Sequence, residues 1–284
     1  MIDRRHFVKI SAGAAIGATV GREHSSLAKG TEAAGDRSLE RIGVQLYTVR
    51  NPMEKDFEGT LKAIADIGFH EVEFFNYFGR EPQQVRDILG RLGLEAPAAH
   101  FSLQAFKEDP DAVIETAQAV GHRYVLLAWL PPEERASIAQ YRDLAALCNE
   151  VGKACTNAGL QFAYHNHDFE FQVIDGEVPF DVLLNETDPD IVEFEIDLYW
   201  IIKGGSDPFA YFQAHPGRFT LCHVKDMAEG GAMADVGSGR IDFSAIFAKS
   251  QTAGMKYFFV EHDQPSDPLA SIESSFNYLK GLRF

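Results

Sequence analysis

Four consecutive β-rich segments in the second half of the chain end in ionisable side chains. They close as Tyr164-His165-Asn166-His167-Asp168-Phe169-Glu170, Glu193-Phe194-Glu195-Ile196-Asp197-Leu198-Tyr199-Trp200, His223-Val224-Lys225-Asp226 and Glu261-His262-Asp263. Side chains alternate across a strand, so residues two apart share a face. Phe194, Ile196 and Leu198 take one face as an apolar row, which turns Glu195 and Asp197 to the other. The same alternation groups His165 with His167 and His223 with Lys225, and sets Glu261 against apolar Phe258 and Val260. Earlier segments add Glu73 after Val72 and His100 after two alanines. A buried carboxylate without a counter-charge costs several kcal/mol, so a ring of them predicts cations close by. Carboxylate and imidazole donors without thiolates suit one divalent metal ion, Mn, Mg, Co or Zn. Beside such an ion, side chains of these types can act as acids, bases or substrate-orienting groups.

Residues so far apart in sequence meet only if a scaffold gathers the strand ends. From residue 42 onward, β-rich runs at 42–47, 71–75, 96–101, 124–129, 161–165, 192–198, 219–224 and 257–261 alternate with amphipathic stretches. Among the latter, 57–67, 82–92, 110–120 and 137–158 read as helices. Gly68, Gly93, Gly121, Gly159 and Gly254 precede strands, where a helix commonly ends in a left-handed residue. Eight such units predict an α/β protein, a (β/α)8 TIM barrel in a single domain over residues 41–284, with catalytic side chains at the C-terminal strand ends. No GxGxxG follows a strand, which argues against a dinucleotide-binding sheet.

The N-terminus reads as an address. Arg4-Arg5-His6-Phe7 followed by a short run rich in Ala and Gly resembles a twin-arginine signal peptide at 1–28, with a polar linker at 29–40. Export to the periplasm by the twin-arginine machinery is the expectation. The run is too short to span a bilayer, which takes about 20 apolar residues. With 42 acidic against 26 basic residues the formal charge is −16, which disfavours a nucleic-acid partner. Three cysteines without CxxC spacing give neither a disulfide framework nor a thiolate zinc site. The oligomeric state stays open, a homo-oligomer included.

At the strand-end residues the chain resembles the sugar isomerase/epimerase superfamily with a xylose-isomerase-like barrel. The resemblance runs from about Arg41 to the C-terminus and includes Gly237-Ser238-Gly239-Arg240-Ile241-Asp242-Phe243, similar to the family's glycine turn after strand seven. It implies one divalent metal held by Asp197, His223 and Glu261. The first ligand place departs: many relatives have Glu where this chain has His165, so either His165 fills it or Glu170 reaches over. The resemblance further implies a small carbohydrate substrate, a sugar, keto-sugar or polyol, with proton abstraction beside a polarised carbonyl. Reprotonation then gives isomerisation or epimerisation, and loss of a β-substituent gives elimination, as in relatives acting on inososes or 3-keto-glycosides. Glu261, His167, Lys225 and Glu170 are the acid/base candidates. Glu73, His100, Trp200 and Arg240 are the expected substrate contacts, with Phe75 and Trp129 as further aromatic wall. An endonuclease-like phosphodiesterase and a non-catalytic sugar-binding barrel are the remote alternatives.

Overall fold

Parallel neighbours cannot be joined by a tight hairpin, so alternating strands and helices build a sheet through crossovers. The computed structural model describes residues 35–284. Its eight barrel strands are β1 (Gly43–Gln45), β2 (Glu71–Phe74), β3 (Glu95–Phe101), β4 (Tyr124–Leu127), β5 (Gln161–His165), β6 (Val192–Asp197), β7 (Phe219–Val224) and β8 (Tyr257–Val260). Each pairs in parallel with its neighbours, and β8 pairs with β1 to close the barrel. The expected (β/α)8 fold is the one observed.

Alternation decides what each strand buries. Val44, Val72, Phe74, Phe162, Phe194, Ile196 and Val224 join the large cluster between strands and helices. Ala98, Leu126, Ala163, Leu221 and Phe259 form a second, smaller cluster with Tyr124. These are inward positions, two residues before His100, His165, His223 and Glu261 on their strands, so the barrel is plugged by apolar side chains beneath its polar residues. Gly43 makes room for this plug, because a Cβ there would lie 2.4 Å from the Phe259 ring.

Helices Phe57–Ile67, Pro82–Leu92 and Pro110–Val120 run as the sequence indicates, and Ile138–Asn157 lies between its caps Ser137 and Ala158. The five glycines expected at helix ends all have positive φ. Strand ends differ, for local reasons. β1 stops at Gln45 because Leu46–Val49 form a 3-10 turn. β6 stops at Asp197, whose carboxylate caps the helix Leu198–Lys203 by accepting the Trp200 N–H at 2.9 Å. β4 stops at Leu127, leaving Trp129 44% exposed at the mouth.

The export signal and the first part of the linker lie outside the described residues. Residues 35–40, read as linker, lie against the barrel. The Arg37 carbonyl accepts the Phe284 N–H at 3.0 Å, its guanidinium donates to Ala248 O at 3.1 Å, and Leu39 packs on the core.

Candidate active site

The C-terminal strand ends open into a cavity of about 1040 Å³. Tyr47, Phe75, Trp129, Phe169 and Trp200 give it an aromatic wall, and His167, Lys225, Glu261 and Asp263 reach it from below. Asp197, at the end of β6, is fully buried. Donor atoms of Asp197, His223 and Glu261 all lie within 4.8 Å of one another. His223 Nδ1 is 2.9 Å from Glu261 Oε2 and 3.7 Å from Asp197 Oδ2, and His165 Nε2 is 4.0 Å from that same Asp197 oxygen. Ligand atoms around an ion with bonds of about 2.1 Å stand about 3.0–3.4 Å apart, so little movement is needed to surround one.

Lys225 occupies the rim of this group. Its Nζ is 2.7 Å from Glu261 Oε2, 2.9 Å from Asp263 Oδ1 and 3.1 Å from Asp197 Oδ2. The contacts to the two aspartates are charge contacts without hydrogen-bond geometry, so Asp197 Oδ2 and Asp263 Oδ1 remain buried acceptors with unspent lone pairs. Glu73 Oε1 and Glu195 Oε1 are likewise buried and unpartnered. Orphaned carboxylate oxygens at this density fit a further cation. The donor set is oxygen and imidazole, the chemistry expected for a divalent metal.

Burial works against charge on every group, and neighbours decide the outcome. Burial opposes the Lys225 ammonium, but Asp197, Glu261 and Asp263 hold its pKa well above the usual lysine range. For Glu261 burial is outweighed by Lys225 and His223, which keep its carboxylate well below the usual range and ionised. His223 is raised well above an ordinary imidazole, because Glu195, Glu261 and Glu73 overcome its burial. His167 goes the other way: burial, then His165 and Lys225, press its pKa well down and leave it neutral. Its Nδ1 has no partner, and the ring stacks on Phe169 with centroids 5.4 Å apart. Asp263 is raised by burial and by Glu261 against the opposing pull of Lys225.

Three of the expected site residues are placed elsewhere. Glu170 lies in the 3-10 turn Phe169–Phe171, which bends the chain back, so its fully buried carboxylate accepts from Tyr164 Oη at 2.7 Å and from the His167 N–H at 2.8 Å. It neither lines the cavity nor joins the donor group, so it is corrected from acid/base candidate and alternative ligand to a support for the loop. Arg240 is exposed outside the cavity lining, with its guanidinium 3.1 Å from Met227 Sδ. Glu73 is sealed beneath the cavity, where Gln45, His100 and His223 cover it. His100 and Trp200 do line the cavity.

Two other residues have roles that the sequence pattern does not show. Arg135 lines the mouth with its guanidinium 3.5 Å from the Phe169 ring centroid, yet it lies in a loop without periodicity. Asp226 binds backbone rather than ligand: its carboxylate accepts the N–H groups of Met227, Gly237, Gly239 and Ile241 at 2.7–3.2 Å. A Cβ on Gly239 would stand 2.3 Å from that carboxylate, so glycine is required there. The Lys225-Asp226 pair thus splits its duties, one side chain facing the cavity and the other pinning the loop beside it.

A closed parallel barrel carrying a carboxylate–imidazole group at its C-terminal strand ends defines a broad class of enzymes on this scaffold. The chain belongs to the xylose isomerase-like TIM barrel family, whose model matches residues 61–282. It is 24% identical over 232 residues to an inosose dehydratase of Clostridium tetani (strain Massachusetts / E88), across 68% of this chain and 77% of that protein. The crystal structure of a sugar phosphate isomerase/epimerase from Parabacteroides distasonis ATCC 8503 superposes with TM-score 0.74 at 24% identity, covering 85% of this chain and 98% of that one. The IOLI protein, crystallised with a zinc atom, superposes with TM-score 0.66 at 14% identity, over 84% and 95% of the two chains.

Proposed function

We propose that the chain is a divalent-metal-dependent enzyme of the isomerase/epimerase type, acting on a sugar, keto-sugar or polyol by removing a proton next to a carbonyl. The observation that carries this is the convergence of Asp197, His223 and Glu261 beside a fully buried, charged Lys225. Asp197, His223 and Glu261, with His165 next to Asp197, would hold the cation, whose contribution when bound is to polarise the carbonyl. The IOLI protein, which shares the fold and was crystallised with a zinc atom, agrees with a metal-binding reading.

The chain's own groups supply the rest. Glu261 is ionised and reaches the cavity, so its carboxylate can take the proton. The Lys225 ammonium can donate to the oxygen on which negative charge develops. His167, neutral with a free Nδ1 beside the cavity, can take up or return a proton on another side of the substrate. The aromatic wall suits the apolar faces of a sugar ring.

Elimination is the second reading, and two observations favour it. His165 stands on β5 where many relatives have Glu, so a second carboxylate facing Glu261 is missing from this site. Asp263, 2.9 Å from the Lys225 ammonium at the cavity edge, adds a further carboxyl group that could serve the departing substituent. The likeness to an inosose dehydratase agrees with it. Turnover in deuterated water with Mn²⁺, across free sugars, inososes and 3-keto-glycosides, tests both. Under the first reading an epimer or isomer carrying deuterium next to the carbonyl is expected; under the second an unsaturated product that has lost that hydrogen is expected, with deuterium at that carbon only in recovered substrate. Phosphodiester cleavage, a redox change in the substrate, or turnover of none of these classes by the metal-loaded enzyme refutes the proposal.

The role given to Lys225 carries its own expectation. Lys225→Met lowers kcat about 10²-fold or more, the scale of losing one donor to a developing oxyanion. The same change removes a positive charge that competes for Asp197 and Glu261, so Mn²⁺ affinity holds or rises. Steady-state kinetics and a Mn²⁺ titration check the pair, and a kcat within threefold of wild type removes Lys225 from the mechanism.

A further inference from the structure

We infer that Gln45, Glu73 and Glu195 are positioning residues that set which nitrogen of His223 and of His165 is left free to meet a cation. This rests on the metal-site reading above. A neutral imidazole carries one N–H, and the nitrogen that donates it is unavailable as a ligand. His165 Nδ1 lies 2.9 Å from Glu195 Oε2, and an ionised carboxylate can only accept, so the proton sits on Nδ1. The free nitrogen is then Nε2, the one that faces Asp197 Oδ2 at 4.0 Å. On His223 both nitrogens face carboxylates in the metal-free protein, Nε2 at 2.6 Å from Glu73 Oε2 and Nδ1 at 2.9 Å from Glu261 Oε2; a cation that displaces the Nδ1 proton leaves the remaining N–H on Nε2, held by Glu73. Two rings anchored through opposite nitrogens thereby turn their remaining nitrogens toward one group of carboxylates.

Gln45 holds Glu73 in turn. Its Oε1 accepts the Tyr47 N–H at 3.1 Å, so its amide N–H must face Glu73 Oε2, at 2.7 Å. The relay runs from the backbone after β1, through Gln45 and Glu73, to His223 on β7, and its side chains are at most 1% exposed. His100, His165, Glu195 and His223 also bring donor atoms within 4.8 Å. In that set the three histidines stand at 2.8, 2.9 and 3.1 Å from the one oxygen Glu195 Oε2, which takes up the nitrogens that face it. This set is the orienting layer, not a second cation site. Carboxylates behind ligating histidines typically account for 10–100-fold in metal affinity.

The test uses the metal-stripped full chain. Mn²⁺ is titrated in and the free ion followed by electron paramagnetic resonance. Long-range proton–nitrogen NMR correlations in the metal-free protein report which nitrogen of each histidine is protonated. Wild-type His165 is expected as the Nδ1–H form. Glu73→Gln and Glu195→Gln should weaken Mn²⁺ binding about 10–100-fold and Gln45→Met about 10-fold, with one site retained. Gln45→Met touches no proposed ligand and keeps side-chain volume, so it decides the matter if a glutamate variant does not fold. His165 protonated on Nε2, or Gln45→Met binding Mn²⁺ within twofold of wild type, overturns the inference. A wild type that binds no divalent cation refutes the metal reading instead, and the nitrogen protonation pattern still decides the positioning claim.

Discussion

Asp197→Asn is expected to weaken Mn²⁺ binding by at least about 10²-fold and to lower kcat/KM by about 10³-fold or more, with the fold intact. The carboxylate has two separate jobs. Oδ1 accepts the Trp200 N–H and caps the helix that follows β6, and the amide oxygen of Asn can keep that bond. Oδ2 faces His223, His165 and Lys225 without a hydrogen bond of its own, and the substitution replaces it by a neutral donor. A ligand position is lost while the scaffold is spared, because Lys225 keeps Glu261 and Asp263 as partners. Lewis-acid stabilisation is worth several kcal/mol in the transition state, and each 1.36 kcal/mol is tenfold in rate, which sets the scale of about 10³. Isothermal titration with Mn²⁺, circular dichroism and kinetics on one preparation check the three parts. Affinity within threefold of wild type would take Asp197 out of the ligand set.

Glu170→Gln is expected to make stability nearly independent of this site's protonation, where the wild type weakens as pH rises. Burial pushes the Glu170 carboxyl up to about 8 from 4.5, against the opposing hydrogen bonds from Tyr164 and the His167 N–H. A raised folded-state pKa means that the folded protein prefers the neutral acid. The stabilisation is complete below pH 4.5 and is lost as pH rises through about 8. A gap of that size corresponds to roughly 5 kcal/mol in the limit, at 1.36 kcal/mol per pH unit. Gln keeps the shape and stays neutral, accepting from His167 and donating to the Tyr164 oxygen. Denaturant unfolding at pH 5, 6.5 and 8 checks the sign: the variant gains on the wild type with each step. A constant difference across those pH values would show that Glu170 is ionised in the fold throughout.

The two substitutions mark where sequence pattern informs and where it stops. Asp197 and Glu195 are readable as inward because they alternate with Phe194, Ile196 and Leu198, with a two-residue period. His165, His223 and Glu261 follow from the same rule on their own strands. Glu170 sits beyond the end of β5, in a 3-10 turn with neither the strand nor the α-helix period, and its direction depends on how tightly that turn bends. Arg240 fails for a related cause, since its loop is shaped by Asp226 gathering backbone groups 11 to 15 residues further on. Gln45 reads as an ordinary polar strand residue until its two amide contacts are seen together. Glu73 is inward as alternation demands, but depth within the barrel is a property of strand register that no single segment contains.

The apolar plug of Ala98, Leu126, Ala163, Leu221 and Phe259 is buried beneath the histidines and carboxylates, and the cavity above it opens at the strand ends. A substrate seated in that opening covers a small reservoir of protons. A proton taken from the substrate then mixes with a few imidazole and carboxyl sites rather than with solvent until product leaves. Isotope carried by the substrate would be handed back in part to the same molecule, and the label acquired from deuterated water would count exchanges made between visits rather than turnovers.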